Sequence, residues 1–224
     1  MKYQNIHEGT FINRENRFIA TVDVSGETVR CHVKNTGRLK ELFIPDARVL
    51  LEESTNLNRA TKYDLISVYK GDKLINIDSL APNRMYLEWA KENIKGLDII
   101  RPEVTYGDSR FDFYTEVNGK RGFTEVKGVT LENDGIVRFP DAPTERGVKH
   151  LEGLIRCKKE GYEARVVFVC QMEHATCFMP NSDTHPAFCA KLREAAEHGV
   201  TIKAFSCSVA PGTVTIRSEI PVQI

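Results

Sequence analysis

Two acidic residues and a lysine stand out in the stretch FDFYTEVNGKRGFTEVKG. Asn118-Gly119 lies between two runs rich in aromatic and β-branched residues, and Asn-Gly is typical of a two-residue type I′ hairpin turn. That turn fixes the pairing so that Asp112 lies opposite Glu125. Because side chains alternate along a strand, Lys127 shares their face. The sequence therefore predicts two carboxylates and one ammonium group on one face of a hairpin.

Like charges that oppose each other at a Cβ separation of roughly 4.5–5.5 Å destabilise a sheet, so something must offset the repulsion. A bound cation, a shared proton and exposure to solvent are the three alternatives. A hard cation such as Mg²⁺ binds one or two carboxylates and leaves room for water and phosphate. We therefore predict Mg²⁺ or Mn²⁺ as cofactor, bound by Asp112, Glu125 and the main-chain carbonyl of Val126.

Phosphodiester hydrolysis is the chemistry that fits such a site. It needs a water nucleophile, a cation that neutralises developing charge, and donors to the scissile phosphate. Lys127 would orient or help deprotonate the water and contact phosphate as a point charge. The alternative for an E-x-K pattern is an ordinary solvated strand face.

Composition excludes some classes of protein. The chain has 224 residues, with Lys+Arg 31 and Asp+Glu 31, so any nucleic-acid surface must be a local patch. The beginning, MKYQNIHEGTF, lacks the apolar core of a signal peptide, and no run approaches the roughly 20 apolar residues of a membrane span. We expect a cytoplasmic location and no membrane partner. The six cysteines form no C-x-x-C pair and are expected to be buried thiols; a zinc site around His174 is the weaker alternative.

Residues 1–80 have the pattern of a small β-barrel. Short segments of alternating apolar residues are separated by turn residues: FIATVDV, ETVRCHV, ARVLLEE, YDLISVYK and KLINIDS. Five strands at this spacing predict an oligonucleotide/oligosaccharide-binding (OB)-like domain.

Residues 81–224 follow a different pattern and predict an α/β domain with a mixed sheet. The expected order is a helix (NRMYLEWAKENI), a strand (IIRPEVTYG), the hairpin, a helix (TERGVKHLEGLIRCKKEG), a strand (ARVVFVCQM), a helix (HPAFCAKLREAAEHG) and a strand (TIKAFSCSV).

An aspartate followed some 13 residues later by E-x-K, on paired strands between helices, resembles the PD-(D/E)xK nuclease superfamily. The motif has a proline directly before the aspartate, whereas this sequence has Phe111 at that position. The resemblance adds Glu88, on the preceding helix, as a fourth catalytic candidate beside Asp112, Glu125 and Lys127, because the superfamily often has an acidic residue there.

A more specific resemblance covers residue 10 to the C-terminus. The motifs NTG, SRFDF, EVKGVTL and FPDAPTERGVKHL, in this order, are similar to those of the sugar fermentation stimulation protein A (SfsA) family. This resemblance implies an OB-like domain followed by a PD-(D/E)xK-like domain, DNA binding, and a role in regulating sugar utilisation.

Basic residues on two surfaces are candidates for phosphate contacts. On the second predicted helix these are Arg146 and Lys149, with Lys149 or His150 close enough to reach the site. In the barrel they are Arg14, Arg17, Arg38 and Lys40, with Phe18 or Phe43 as stacking platforms. The alternative for all of them is a solvated face, and Asp141 and Glu145 are expected to cap the helix.

Two functions remain open at this point. The first is a metal-dependent nuclease acting on DNA or RNA, and the second is a non-catalytic DNA-binding regulator of sugar-utilisation genes. A sensor of oligosaccharides or sugar nucleotides is a distant third, because OB-like barrels also bind sugars. A homodimer is compatible with cleavage of two strands.

Overall fold

The N-terminal part of the chain is a closed five-stranded barrel with one extra strand. The computed structural model describes residues 1–56 and 58–224. The first six strands are β1 (Ile6–Arg14), β2 (Ile19–Val24), β3 (Glu27–Val33), β4 (Arg48–Glu53), β5 (Tyr63–Lys70) and β6 (Lys73–Asn76). They lie in the order β3-β2-β1-β4-β5-β6, and a pairing of β3 with β5 closes the barrel. The predicted OB-like barrel is confirmed.

Strand β1 is the element of the barrel that the sequence did not predict. Its sequence, IHEGTFINR, does not alternate, and a register shift between Phe11 and Asn13 interrupts its pairing with β2. Gly9 permits the close approach of the two strands, because a Cβ there would lie 2.6 Å from the Val22 side chain and 2.8 Å from the Asp23 carbonyl oxygen. The strand is therefore specified by its neighbours more than by its own pattern.

The second part is the predicted α/β domain with a mixed sheet. Its elements are α1 (Ala81–Asn93), β7 (Leu97–Tyr106), β8 (Ser109–Val117), β9 (Lys120–Val129), β10 (Leu131–Asn133), β11 (Ile136–Phe139), α2 (Glu145–Lys159), β12 (Glu163–Cys170), β13 (Cys177–Pro180), α3 (Pro186–Glu197), β14 (Thr201–Ala210) and β15 (Thr213–Ile220). The main sheet has the order β15-β14-β12-β9-β8-β7, in which β9, β12 and β14 are parallel. Strands β10, β11 and β13 form a small second sheet, which the sequence did not predict because these strands have only three or four residues.

The hairpin of β8 and β9 has the predicted turn and register. Asn118 and Gly119 have φ values of 50° and 74°, as a type I′ turn requires. Val117 pairs with Lys120, and the ladder continues to Phe113 and Thr124. The local sequence therefore fixes the geometry of the strands that carry the candidate site.

A buried polar network joins the two parts of the chain just before α1. Asp78 is fully buried; its carboxylate accepts a hydrogen bond from Tyr3 (3.2 Å) and pairs with Lys34 (2.9 Å). The Gln171 side chain, which follows β12, donates to Asn76 (2.8 Å) and to the Asp78 carbonyl (3.0 Å). These contacts fix the start of α1 relative to the barrel. Among the described residues, no helix is both long and apolar enough to cross a membrane.

Candidate metal centre

Asp112 lies where strands β8 and β9 separate. Their ladder ends at Phe113 and Thr124, and beyond it the Oδ2 atom of Asp112 accepts a hydrogen bond from the backbone N–H of Val126 (2.8 Å). The Oδ1 atom accepts from the Asn83 side chain on α1 (2.8 Å). The carboxylate thus takes the place of a ladder hydrogen bond and is held on both sides. Since each carboxylate oxygen has two lone pairs, both atoms can still bind a cation.

Glu125 is buried and only half satisfied. It is 2% exposed, and its Oε1 atom accepts from Lys127 Nζ (2.5 Å) and from His150 Nδ1. Its Oε2 atom is buried and has no hydrogen-bond partner in the part of the chain that the structure describes. Leaving a buried acceptor unpaired costs about 1–3 kcal/mol, and more for a charged group. A cation ligand is the role that would satisfy this oxygen.

The two carboxyl groups have opposite pKa shifts. Burial, followed by the charge of Glu125, raises the pKa of Asp112 above its ordinary value. Burial also acts to raise the pKa of Glu125, but the hydrogen bond from His150 and the charge of Lys127 outweigh it, so this pKa is lowered. Glu125 therefore stays ionised, while Asp112 would gain most from a cation placed between them.

The available ligands suit a hard cation. The N–H and C=O of one strand residue point to the same neighbouring strand, so the Val126 carbonyl also points to the gap beside Asp112. Among the described residues, no three His, Cys, Asp or Glu side chains come together as a metal site. Two carboxylates and one carbonyl, completed by water and phosphate, match the oxygen coordination of Mg²⁺ or Mn²⁺ and not a thiolate-rich zinc site. Val126 as the third ligand stays a prediction.

Helix α2 contributes a residue that the sequence analysis placed only as near the site. His150 is 6% exposed; its Nδ1 atom hydrogen-bonds Glu125, and its Nε2 atom accepts from Arg146 Nε (3.3 Å). Its signal in the sequence is its position one helical turn after Arg146, on the inward face of the helix. Lys149 is instead paired with Asp108, in the turn between β7 and β8, at an Nζ–Oδ2 distance of 3.5 Å.

The structure does not bring Glu88 to the carboxylate pair. Its carboxylate lies 2.7 Å from the Met1 ammonium group, and its side chain is 55% exposed. Glu88 follows Asn83 by five residues, which rotates it roughly 140° around the helix axis. Asn83 is thus the α1 residue that contacts Asp112, and the expectation that Glu88 joins the site is wrong for this arrangement.

Arg14 and Phe43 have structural roles in the barrel, contrary to the predicted groove. The five N–H donors of the Arg14 guanidinium all bond to backbone carbonyls, those of Asn16, Arg17, Asn35, Gly37 and Arg38. Burial lowers the pKa of Arg14. The guanidinium also covers one face of Phe43 (4.9 Å), whose ring stacks on Phe11 (5.1 Å). Both residues therefore contribute contacts that hold the barrel loops together.

The remaining basic residues of the barrel are available and lie near α2. Arg17, Arg38 and Lys40 are exposed and form no ion pair within residues 1–56 and 58–224. The loop that carries Arg38 and Lys40 touches the segment before α2, since a Cβ at Gly37 would lie 2.8 Å from the Asp141 carboxylate. The barrel loop and the start of α2 therefore border the same side of the molecule.

Comparison with known proteins identifies the family. A family model described as the SfsA N-terminal OB domain matches residues 12–77, and one described as the sugar fermentation stimulation protein RE domain matches residues 80–213. The chain belongs to the sugar fermentation stimulation protein (SfsA) family. Two members described as sugar fermentation stimulation protein homologs, from Clostridium beijerinckii and Desulfitobacterium hafniense, are 53% and 49% identical to it. Each alignment covers at least 99% of both chains.

A solved structure of an SfsA protein has the same fold. It is described as the structure of Pyrococcus furiosus SfsA in complex with Ca²⁺. The two chains are 28% identical, with a TM-score of 0.92 over 100% of this chain and 98% of the other. The SfsA architecture, an OB barrel followed by an α/β domain, is therefore shared from end to end.

Proposed function

We propose that this SfsA-family protein is a divalent-metal-dependent nuclease that binds and hydrolyses DNA. The observation that carries the proposal is the buried, unpartnered Oε2 atom of Glu125. It lies beside a second, half-buried carboxylate, Asp112, whose raised pKa reflects its partial burial and the charge of Glu125. Such a pair is costly unless a cation is bound.

The related structure supports the choice of a hard cation. The description of the Pyrococcus furiosus SfsA structure names Ca²⁺, an ion that takes oxygen ligands. Mg²⁺ and Mn²⁺ use the same ligand types, and Mg²⁺ leaves more positions for water and phosphate. We infer that Asp112, Glu125 and the Val126 carbonyl bind Mg²⁺ or Mn²⁺ here.

Each side chain of the site has a defined task in phosphodiester hydrolysis. A bound cation would supply Lewis-acid polarisation of the phosphate and a more acidic water. His150 and Lys127 both hold the Oε1 atom of Glu125, which leaves Oε2 as the oxygen that faces the cation site. The Lys127 side chain, at 18% exposure, is the cationic donor that can also contact the scissile phosphate. Asn83 and the Val126 N–H fix the orientation of Asp112.

Metal binding can be tested without any substrate. Isothermal titration with Mn²⁺ and with Ca²⁺ should show one site in the wild type, and its affinity should fall at least about tenfold in Asp112→Asn and in Glu125→Gln. Glu88→Gln is the matched acidic control and should bind as the wild type does, because Glu88 faces Met1. Equal affinity in all four proteins would remove the metal site from the proposal.

Turnover requires a separate assay. Labelled single- and double-stranded DNA and RNA are incubated with Mg²⁺, Mn²⁺ or EDTA, and cleavage should require the metal. Lys127→Met should lose about 10²–10³-fold in rate, the scale for removal of one donor to developing charge. If the wild type binds DNA in a salt-dependent way but cleaves none of these substrates, the regulator of sugar-utilisation genes becomes the better description.

A further inference from the structure

A shallow surface depression runs from the barrel to helix α1. It consists of two adjoining cavities of about 190 and 240 Å³ that share Leu80 in their walls. The first is lined by Phe18 and Val33 of the barrel, and the second by Asn83 and Phe113 of the α/β domain. Asn83, in the wall of the second cavity, donates a hydrogen bond to Asp112, so this wall contacts the candidate metal centre. We call this surface the Leu80 depression.

Two large apolar side chains of the Leu80 depression are exposed to solvent. Leu80 is 58% exposed and Phe18 is 43% exposed. Among the described residues only three other large apolar side chains are exposed, and these do not line the depression: Ile12, Ile44 and Ile224. Neighbouring exposed apolar groups of this kind mark a binding surface.

Phe18 has the geometry of a stacking platform. The Arg17 guanidinium lies 4.7 Å from the ring centroid and covers one face. The ring is 43% exposed and lines the first cavity. Phe43, the alternative platform in the sequence, already contacts the Arg14 guanidinium and stacks on Phe11.

The charge around the Leu80 depression suits an anionic chain. Arg17 and Arg38 lie together at the barrel end, because Arg14 binds the carbonyls of both, and Arg84 lines the second cavity. None of the three forms an ion pair in the described parts of the chain. Glu103, the acidic residue in the wall, is neutralised by Arg110 at 2.5 Å.

We propose that the Leu80 depression binds an unpaired nucleic-acid strand, with one base stacked on Phe18 and Leu80 in contact with the next nucleotide. A base inside a duplex has both faces covered by its neighbours and cannot stack on Phe18, whereas a single strand offers every base to an aromatic ring. The depression would deliver the strand to Asp112 and Glu125. This inference deepens the proposed nuclease function by selecting single-stranded or frayed ends as its substrate class.

The test measures binding in EDTA, so that cleavage does not interfere. Fluorescence anisotropy is recorded with a labelled 20-nucleotide oligothymidylate and with a 20-base-pair duplex. The wild type should prefer the single strand. Phe18→Ala should weaken single-strand binding about 5- to 150-fold, the measured range for one stacked base. Phe18→Trp should retain it, and Leu80→Ala should show a smaller loss in the same direction.

Ile44→Ala is the matched control, since Ile44 is also exposed (53%) but lies outside the Leu80 depression. It should bind both probes as the wild type does, and all variants should keep the wild-type melting temperature because these side chains are exposed. The inference is overturned if the wild type binds the duplex as tightly as the single strand, or if Phe18→Ala binds like Ile44→Ala.

The outcomes separate this inference from the nuclease proposal. If Mn²⁺ binding and cleavage depend on Asp112 and Glu125 but Phe18→Ala binds normally, the strand path fails alone. If single-strand binding depends on Phe18 while the wild type takes up no Mn²⁺, the metal chemistry fails and the strand path stands.

Discussion

Glu132 is a buried carboxylate outside the candidate site whose removal should lower the stability of the protein. It lies on β10, is 3% exposed, and accepts hydrogen bonds from Lys73 (2.7 Å), Lys70 and the Gly135 N–H (2.7 Å). Lys70 and Lys73 belong to the barrel, so this cluster ties the barrel to the α/β domain. Burial acts to raise the pKa of Glu132, but Lys73, Gly135 and Lys70 outweigh it and lower the pKa to about 2.

The pKa shift gives the size and the sign of the effect. A fall from 4.5 to about 2 corresponds to about 3 kcal/mol of differential stabilisation at 1.36 kcal/mol per unit. The side chains of Lys70 and Lys73 are 31% and 38% exposed, and solvent screening reduces the expected contribution to about 2 kcal/mol. Because the folded pKa lies below the unfolded one, this stability is present above pH 4.5 and is lost as the pH falls towards 2.

Urea unfolding of the wild type and Glu132→Gln, followed by the fluorescence of the single tryptophan, Trp89, tests this reasoning. The free energies of unfolding should differ by about 2 kcal/mol at pH 7, and the difference should shrink between about pH 4.5 and pH 3. Asp134→Asn, at an exposed position in the next turn, should match the wild type throughout. A difference that stays constant with pH would refute the ion-pair explanation.

Three other predictions concern single side chains. His150→Ala should weaken Mn²⁺ affinity by roughly 10–100-fold, since residues that orient a metal ligand have effects of that size, whereas Lys149→Ala should leave calorimetric titrations unchanged. Arg14→Lys should lower the free energy of unfolding by about 1–3 kcal/mol in thermal denaturation, because an ammonium group cannot serve five carbonyls; a wild-type melting curve would contradict the structural role. Burial raises the pKa of Cys31 and Cys157 to about 12, so mass spectrometry after iodoacetamide treatment at pH 8 should find both unmodified in the native protein and modified in urea.

The carboxylate pair was predictable because its geometry is local. Asp112 and Glu125 lie at equal distances from a two-residue turn, and the type I′ geometry of Asn118-Gly119 determines the register over the whole hairpin. The hydrogen bond between the Asp112 carboxylate and the Val126 N–H was not predictable, because it forms only where β8 and β9 part.

The predictions for Glu88 and Arg14 differ from the structure because both depend on contacts between segments that are far apart in the sequence. Glu88 has the expected position in the sequence, but the rotation of α1 depends on how Met85, Tyr86 and Ala90 pack against the sheet. Arg14 was expected in a groove, and its five carbonyl partners lie on two loops whose proximity arises only when the barrel closes. The sequence pattern predicts which residues are polar, but it does not indicate which of them are already used by the backbone.

The parting of β8 and β9 has a consequence for evolution and for engineering. The Val126 N–H donates to the Asp112 carboxylate and not to a backbone carbonyl of β8, and the β8–β9 ladder ends at this point. The carboxylate therefore keeps the two strands apart. An apolar residue such as valine at position 112 would free that amide for the ordinary ladder and relieve the repulsion with Glu125. We therefore expect Asp112→Val to melt at a higher temperature than the wild type and to lose the proposed metal binding, so that the same side chain would lower the stability of the sheet and supply the proposed ligand.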